Sequence, residues 1–264
     1  MSKLSQVIIG AVPKLLAMAI FVFLVAPILV VVVMSFSAGD FLQFPPDGLS
    51  LRWYRNYINS VEWMDATRIS VIAGLLTVAV AVPSGFLAAY GLMQLTGKAR
   101  SAIMGWLLVP MIVPTVLLAV GVYYLFAKFG LVNTVTGLVL AHSALALPFV
   151  VVTLLASLKQ VDFQLERAAQ SLGAAPWYAV LTVTVPLVKR GLIASSLLAF
   201  LTSLDDVIVA LLITLGEKST LSRRMFTSIR DQYDPTIAAI SAIMITISIA
   251  AVLFNLSNEA TRSK

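Results

Sequence analysis

Four side chains in this sequence are chemically out of place. Asp205 and Asp206 stand side by side inside an apolar run, Glu166 opens a polar stretch between two apolar runs, and His142, the single histidine, lies inside another. Neighbouring carboxylates bind cations, share a proton or divide acid and base roles between them. Enzymatic chemistry finds no further parts. No Ser/His/Asp arrangement is legible, no His pair offers metal-ligand spacing, and the absence of cysteine removes thiol nucleophiles, disulfides and thiolate metal sites together. No catalytic residue, metal site or cofactor is therefore expected in this chain. No Gly-x-x-x-x-Gly-Lys-Ser/Thr loop occurs either, so ATP and its Mg must be held elsewhere if they drive the protein. Helix-to-helix hydrogen bonding is the better reading of His142, which has Ser143 beside it.

The elements that carry these residues belong to a membrane. Of 264 residues, 60% are hydrophobic and 11% charged, against about 25% charged in a soluble domain, and the mean hydropathy is +0.99. The formal charge of +6 is scattered through connectors, without the aromatic-interleaved stripe of a nucleic-acid surface, so no nucleic acid is expected. A single all-α transmembrane domain over 1–264 follows, with six helices predicted near 13–35, 66–95, 101–127, 132–158, 190–215 and 235–258, each close to the roughly 20 residues needed to span about 30 Å of hydrocarbon. The first is too long and Val-rich for a cleaved signal and is expected to remain as an anchor. Pro83, Pro110, Pro114 and Pro148 are tolerated in membrane helices and are read as packing and kink positions.

Basic residues set the orientation. The connector Thr96-Gly97-Lys98-Ala99-Arg100 is short and purely basic, whereas segments on the other side mix in Asp40, Asp47, Glu62, Asp65, Glu217, Asp231 and Asp234, which favours both termini inside, Lys264 included. Two outer segments are expected to form helices along the lipid interface. In the first, Ser50 offers an N-cap ahead of Trp53, Tyr54 and Tyr57. In the second, Leu221, Met225 and Ile229 recur every four residues with Arg223, Arg224 and Arg230 pointing elsewhere.

The inner loop 159–189 is far longer than the usual connector of about 4–6 residues. Asp162 is placed to cap a helix with Glu166 in its first turn, where a negative charge suits the helix dipole. Leu165, Ala168, Ala169 and Leu172 share one face, Gly173 is placed to end the helix in the left-handed conformation, and Pro176 is placed to start another. A compact helix–turn–helix outside the membrane is predicted, its small residues allowing another protein to approach closely.

This loop resembles the EAA motif of inner-membrane permease subunits of binding-protein-dependent ABC importers: Glu-Ala-Ala, three residues, Gly, nine residues, Ile-x-Leu-Pro. Ala168, Ala169, Gly173 and Pro186 match at that spacing, with Val183 and Val185 in place of Ile and Leu; the acidic position is filled by Arg167, and Glu166 lies one residue earlier. The resemblance implies a coupling loop, comprising Glu166, Arg167, Ala168, Ala169, Leu172, Gly173 and Pro186, that docks on a separate ATPase. It also implies two ATPase subunits, a second permease subunit of a different chain, an extracytoplasmic binding protein and residence in the bacterial inner membrane.

The acid pair bears on what is carried. Counting from Gly191 at about 1.5 Å per residue places Asp205 roughly 21 Å along a helix that crosses about 30 Å, in the outer half of the membrane. A charge near the centre of such a helix costs about 2.5–3.5 kcal/mol, so Asp205, Asp206 and Ser203 are candidates for the substrate pathway. Adjacent positions on a helix lie about 100° apart, so one acid would face the pathway and the other a neighbouring helix. A structural or gating role is the alternative. Ser203-Leu204-Asp205-Asp206-Val207 and Ser35-Phe36-Ser37 resemble spermidine and putrescine permeases, which implies a polyamine or related cationic substrate. Another small solute, such as an amino-acid derivative or a carboxylate, is the alternative. Readings of other classes are an ion-coupled secondary transporter using the acids, disfavoured by the absence of a visible inverted repeat and by the long loop, and a membrane scaffold that only binds partners.

Overall fold

A computed structural model describes the backbone of residues 3–231 and 234–262, with side chains described for 13–216, 218–231 and 234–249. Among these the protein is helical, with one isolated antiparallel bridge, Ser37 to Leu49, in place of any strand. In chain order the helices are α1 (Lys3–Met34), α2 (Arg52–Asn59), α3 (Val61–Gln94), α4 (Gly97–Ile112), α5 (Thr115–Lys128), α6 (Val135–Leu158), α7 (Gln164–Ser171) and α8 (Pro176–Ala179). A π-helical turn (Val180–Thr184) leads into α9 (Val185–Leu187), followed by α10 (Lys189–Asp205), α11 (Ile208–Ile213), α12 (Leu221–Asp231) and α13 (Thr236–Arg262). Pro13–Met34, Val61–Gln94 and Val135–Leu158 are each long and apolar enough to cross a membrane, and two further pairs of helices qualify if each bent pair is one span. The expected sixth span falls on α13, apolar over Thr236–Ile249. Lys264, used above for orientation, lies outside the described residues.

The chain forms two compact units. One comprises Met1–Met64 with Thr227–Lys264. Within it, a Tyr54 hydroxyl lies 2.7 Å from Ser35 Oγ, its ring 5.3 Å from that of Phe36, and Asn56 Nδ2 donates to Thr236 Oγ1 at 2.8 Å. Tyrosine, asparagine and serine thus fasten α2, the first expected interfacial helix. Ser50 Oγ accepts from Arg52 N–H, one residue further from the helix than an N-cap.

The other unit, Asp65–Phe226, is organised on α6. Ala146, Val150, Val151, Leu154 and Leu158 on α6 meet Ala81, Phe86, Ala89 and Leu92 on α3 and Ala199 on α10 in one apolar core. Glycine makes this approach possible: a Cβ on Gly191 of α10 would stand 2.1 Å from Ser157 Oγ, and one on Gly85 2.5 Å from Val150 Cγ1. Small residues allow backbones to close without a water-driven hydrophobic force. In α12, Leu221 is buried but Ile229 is 52% exposed. Arg223 departs from its expected outward direction: its guanidinium donates to the carbonyl and hydroxyl oxygens of Thr214, and burial pulls its pKa below the usual arginine value.

Two expected spans are interrupted. The run 101–127 divides into α4 and α5 at 99°, because Val113 precedes Pro114 and is driven to an extended conformation (φ −75°, ψ 132°). The run 190–215 divides at Asp206 (φ −68°, ψ 122°), which ends α10 ahead of α11.

Candidate functional site

The loop between α6 and α10 is built from local backbone chemistry. Asp162 Oδ1 accepts from Gln164 N–H at 2.9 Å, though Phe163, not Asp162, precedes the first helical residue. At the far end Gly173 takes φ +94°, its N–H reaching Gln170 O at 3.0 Å and Ala174 N–H reaching Ala169 O at 3.1 Å. That paired closure is the glycine-dependent end of a helix. Pro176 then opens α8 at a position where its missing N–H is no loss. The segment Pro176–Leu187 meets Lys189–Asp205 at 79°, turning at Val188.

Glu166 does something its sequence position does not disclose. Its side chain is 5% exposed. Oε1 accepts from Tyr90 Oη at 2.6 Å and from Gln170 Nε2 at 3.4 Å, and Oε2 accepts from Thr184 Oγ1 at 2.5 Å. Thr184 is fully buried, and the Tyr90 ring also packs against Phe163, centroids 6.1 Å apart. The carboxylate is therefore a clasp joining α7 to α3 and to the π-helical turn. Of the other coupling-loop candidates, Arg167, Ala168, Leu172, Gly173 and Pro186 are exposed and Ala169 is half-buried.

The second constellation surrounds the interruption of α10. Ser203 Oγ and His142 Nδ1 share a hydrogen bond of 2.7 Å, and His142 Nε2 lies 3.4 Å from Asp206 Oδ2 without hydrogen-bond geometry. The same Oδ2 accepts from Ala210 N–H at 3.0 Å, capping the first turn of α11. Sequence spacing hid this gathering of a serine, a histidine and an aspartate, but it has no access for a reaction: Ser203 is 2% exposed and His142 fully buried. It holds α6, α10 and α11 together, and His142 makes the interhelical bond expected of it. Asp205 is exposed, as the last residue of α10. The two acids are separated by a helix end, in place of the 100° rotation a continuous helix would give. No group of three or more His, Cys, Asp or Glu able to hold a metal ion occurs among the described residues.

Sequence reasoning missed Tyr90 and Thr184, which lie 76 and 18 residues from Glu166. Only an acid on a loop whose apolar neighbours Leu165 and Leu172 face outward hints that its partners are internal.

Residues 81–261 match the family described as binding-protein-dependent transport system inner membrane component. The chain belongs to that family. It is a permease of a type I ABC importer and a multi-pass protein of the bacterial inner membrane, working with a binding protein. The permease is 27% identical over 235 residues to the spermidine/putrescine transport system permease protein PotC of Escherichia coli (strain K12), a match covering 89% of each chain. It is 29% identical over 213 residues to the trehalose transport system permease protein SugB of Mycobacterium tuberculosis (strain CDC 1551 / Oshkosh), covering 79% of this chain and 77% of SugB. Among solved structures it is similar to a chain of a bacterial ABC transporter involved in the import of the acidic polysaccharide alginate, with TM-score 0.74 and 15% identity over 98% of both chains. That likeness speaks for the fold.

Proposed function

We propose that this permease forms half of the pathway for a polyamine or related cationic solute, paired with a second, different permease chain and driven by two separate ATPase subunits. In this reading the membrane is crossed six times with both termini inside, the bent pair α4–α5 and the interrupted run α10–α11 each counting once, and α7 lies in the cytoplasm as the coupling helix. The ATPases bind ATP and Mg; this chain supplies the loop of Arg167, Ala168, Ala169, Leu172, Gly173 and Pro186, with Glu166 securing it from behind. The observation that carries the substrate reading is Asp205: an exposed carboxylate at the end of α10, where the helix dipole adds negative potential. Likeness to PotC supports a cation. Asp206 and Ser203 act one step behind, holding the helix end that presents Asp205.

The similarity to SugB favours a second reading, a neutral sugar. The two separate in proteoliposomes containing the whole complex, with each candidate solute presented on the binding protein. Stimulation of ATP hydrolysis by spermidine or putrescine, lost in Asp205→Asn, is expected. Stimulation by trehalose alone overturns the cation reading.

A further inference from the structure

We propose that the arm Pro176–Leu187 lies in the headgroup layer of the inner leaflet and seats Trp177, Tyr178 and Leu181 in the bilayer, so that the coupling loop is carried on the lipid surface. This rests on the cytoplasmic place given to α7 above and adds a second partner for the loop. From Ala174 to Val188 the chain carries no charge, and Lys189 and Arg190 follow at once. A short uncharged apolar run outside the spans is either packed into a core or laid along an interface. One face of the arm is not packed: Trp177 is 67% exposed, Leu181 55% and Tyr178 52%. At about 100° per residue these three fall within about 100° of one another, whereas Ala179 lies about 160° from Trp177 and from Leu181. Ala179 and Thr184 are fully buried, and Thr184 donates to Glu166 of α7. The arm therefore turns its small and polar side to α7 and its aromatic side away.

The direction of the arm decides what covers that side. It leaves α10 at 79°, and spanning helices tilt by about 20° on average, which keeps the arm within roughly 30° of the membrane plane. It departs at the level where Lys189 and Arg190, both exposed, end the uncharged run, the place basic side chains take beside the headgroups. At about 1.5 Å per residue the arm is roughly 18 Å long, too short to cross about 30 Å of hydrocarbon. With α7 on its cytoplasmic side, the aromatic face is left to the bilayer. The rings of Trp177 and Tyr178, in edge contact with centroids 5.8 Å apart, have the apolar body and polar tip that suit the headgroup boundary. Exposed Thr182 returns its hydroxyl to Tyr178 O at 2.7 Å, so it brings no unpaired donor into the lipid.

The test uses the assembled complex in nanodiscs of phosphatidylethanolamine and phosphatidylglycerol. A benzophenone amino acid replaces Tyr178 in one sample and Leu172, 90% exposed beyond the end of α7, in another; mass spectrometry then identifies what each captures on illumination. The expected result is phospholipid adducts at position 178 in at least fivefold excess over position 172, with ATPase peptides captured at 172. The same probe at Leu181 repeats the measurement if the Tyr178 variant does not assemble. An ATPase peptide captured at 178, or no lipid adduct there, overturns the lipid seat while capture at 172 leaves docking standing. Lipid captured at 178 with no ATPase at 172 retains the seat and removes the docking reading. Lipid captured equally at both positions overturns the inference, because the whole loop would then lie on the membrane with no face of the arm set apart.

Discussion

Removing the Glu166 carboxylate should release the loop while leaving the transmembrane core folded. In Glu166→Ala, Tyr90 and Thr184 lose their acceptor. Hydrogen bonds to a charged group contribute about 1.5–3 kcal/mol each. Thr184 is fully buried and bears the full loss, whereas Tyr90 is half-buried and recovers part of it from water. A freed threonine hydroxyl also turns to a nearby backbone carbonyl. The net loss of local stability is therefore about 2–4 kcal/mol, which corresponds to roughly a 30- to 1,000-fold rise in the opening constant.

Hydrogen exchange by mass spectrometry on the purified complex reads this directly, because local opening sets amide exchange in a segment that does not need global unfolding. Peptides covering 164–188 should lose protection by that factor, while peptides from α6, whose Leu154 and Leu158 are fully buried, should not change. Glu166→Gln keeps the volume and one acceptor oxygen and should lose about half as much free energy. A double-mutant cycle between Glu166→Ala and Thr184→Val should give a coupling of about 1–2 kcal/mol. Protection of 164–171 within threefold of the unmodified protein in Glu166→Ala would refute the clasp.

The two acids of the interrupted helix should respond differently. Asp206→Ala removes the side-chain acceptor of the Ala210 N–H at the start of α11, an expected cost of about 1–2 kcal/mol, read as a lowered unfolding midpoint in detergent. Asp205→Asn should leave the midpoint within about 0.5 kcal/mol and reduce uptake; equal destabilisation by both would show that the acids share one structural role. Gly191→Ala forces a methyl to 2.1 Å from Ser157 Oγ and should cost about 1–3 kcal/mol, with Ser157→Gly in the same chain recovering more than half; no recovery would place the closest approach of α6 and α10 elsewhere. Replacing Leu197 and Leu198, both exposed on α10, with glycine weakens the helix by about 2 kcal/mol in all. ATP hydrolysis should persist while uptake per ATP falls, and an unchanged ratio would count against α10 as the transmitting element.

The long apolar runs were legible because apolar length is a property of the sequence itself. Their interruptions were legible only in part. Pro114 breaks its run, yet Pro83, Pro110 and Pro148 lie inside continuous helices, so proline alone does not decide; neighbouring helices determine whether the lost hydrogen bond is tolerated. At Asp206 there is neither proline nor glycine. The helix ends where a carboxylate competes for the backbone and accepts the Ala210 N–H, an outcome that the expectation of one continuous helix, its two acids turned about 100° apart, passes over. In the loop, Gly173 and Pro176 signalled the turn through backbone restrictions that need no tertiary partner. Glu166 signalled only a favourable place near a helix N-terminus, and the inward turn of its side chain depends on Tyr90, reached solely through the fold.

One helix connects these features. α10 begins beside the bend at Val188, where the loop arm joins it, and ends at Asp205; 17 residues at about 1.5 Å each make it roughly 25 Å long. Between Leu192 and Asp205 it contains neither glycine nor proline, so it has no built-in hinge at which a displacement would dissipate. It is bent by 79° from the loop arm at Val188, and its other end is Asp206, where the backbone leaves the helix for an extended conformation. The Glu166 clasp ties the arm to α3, so a push on α7 meets a braced element and not a slack loop. On the docking role proposed for the loop, a force applied there would reach the acid-bearing end of α10 as a movement of the whole helix against α6, along the seam opened by Gly191.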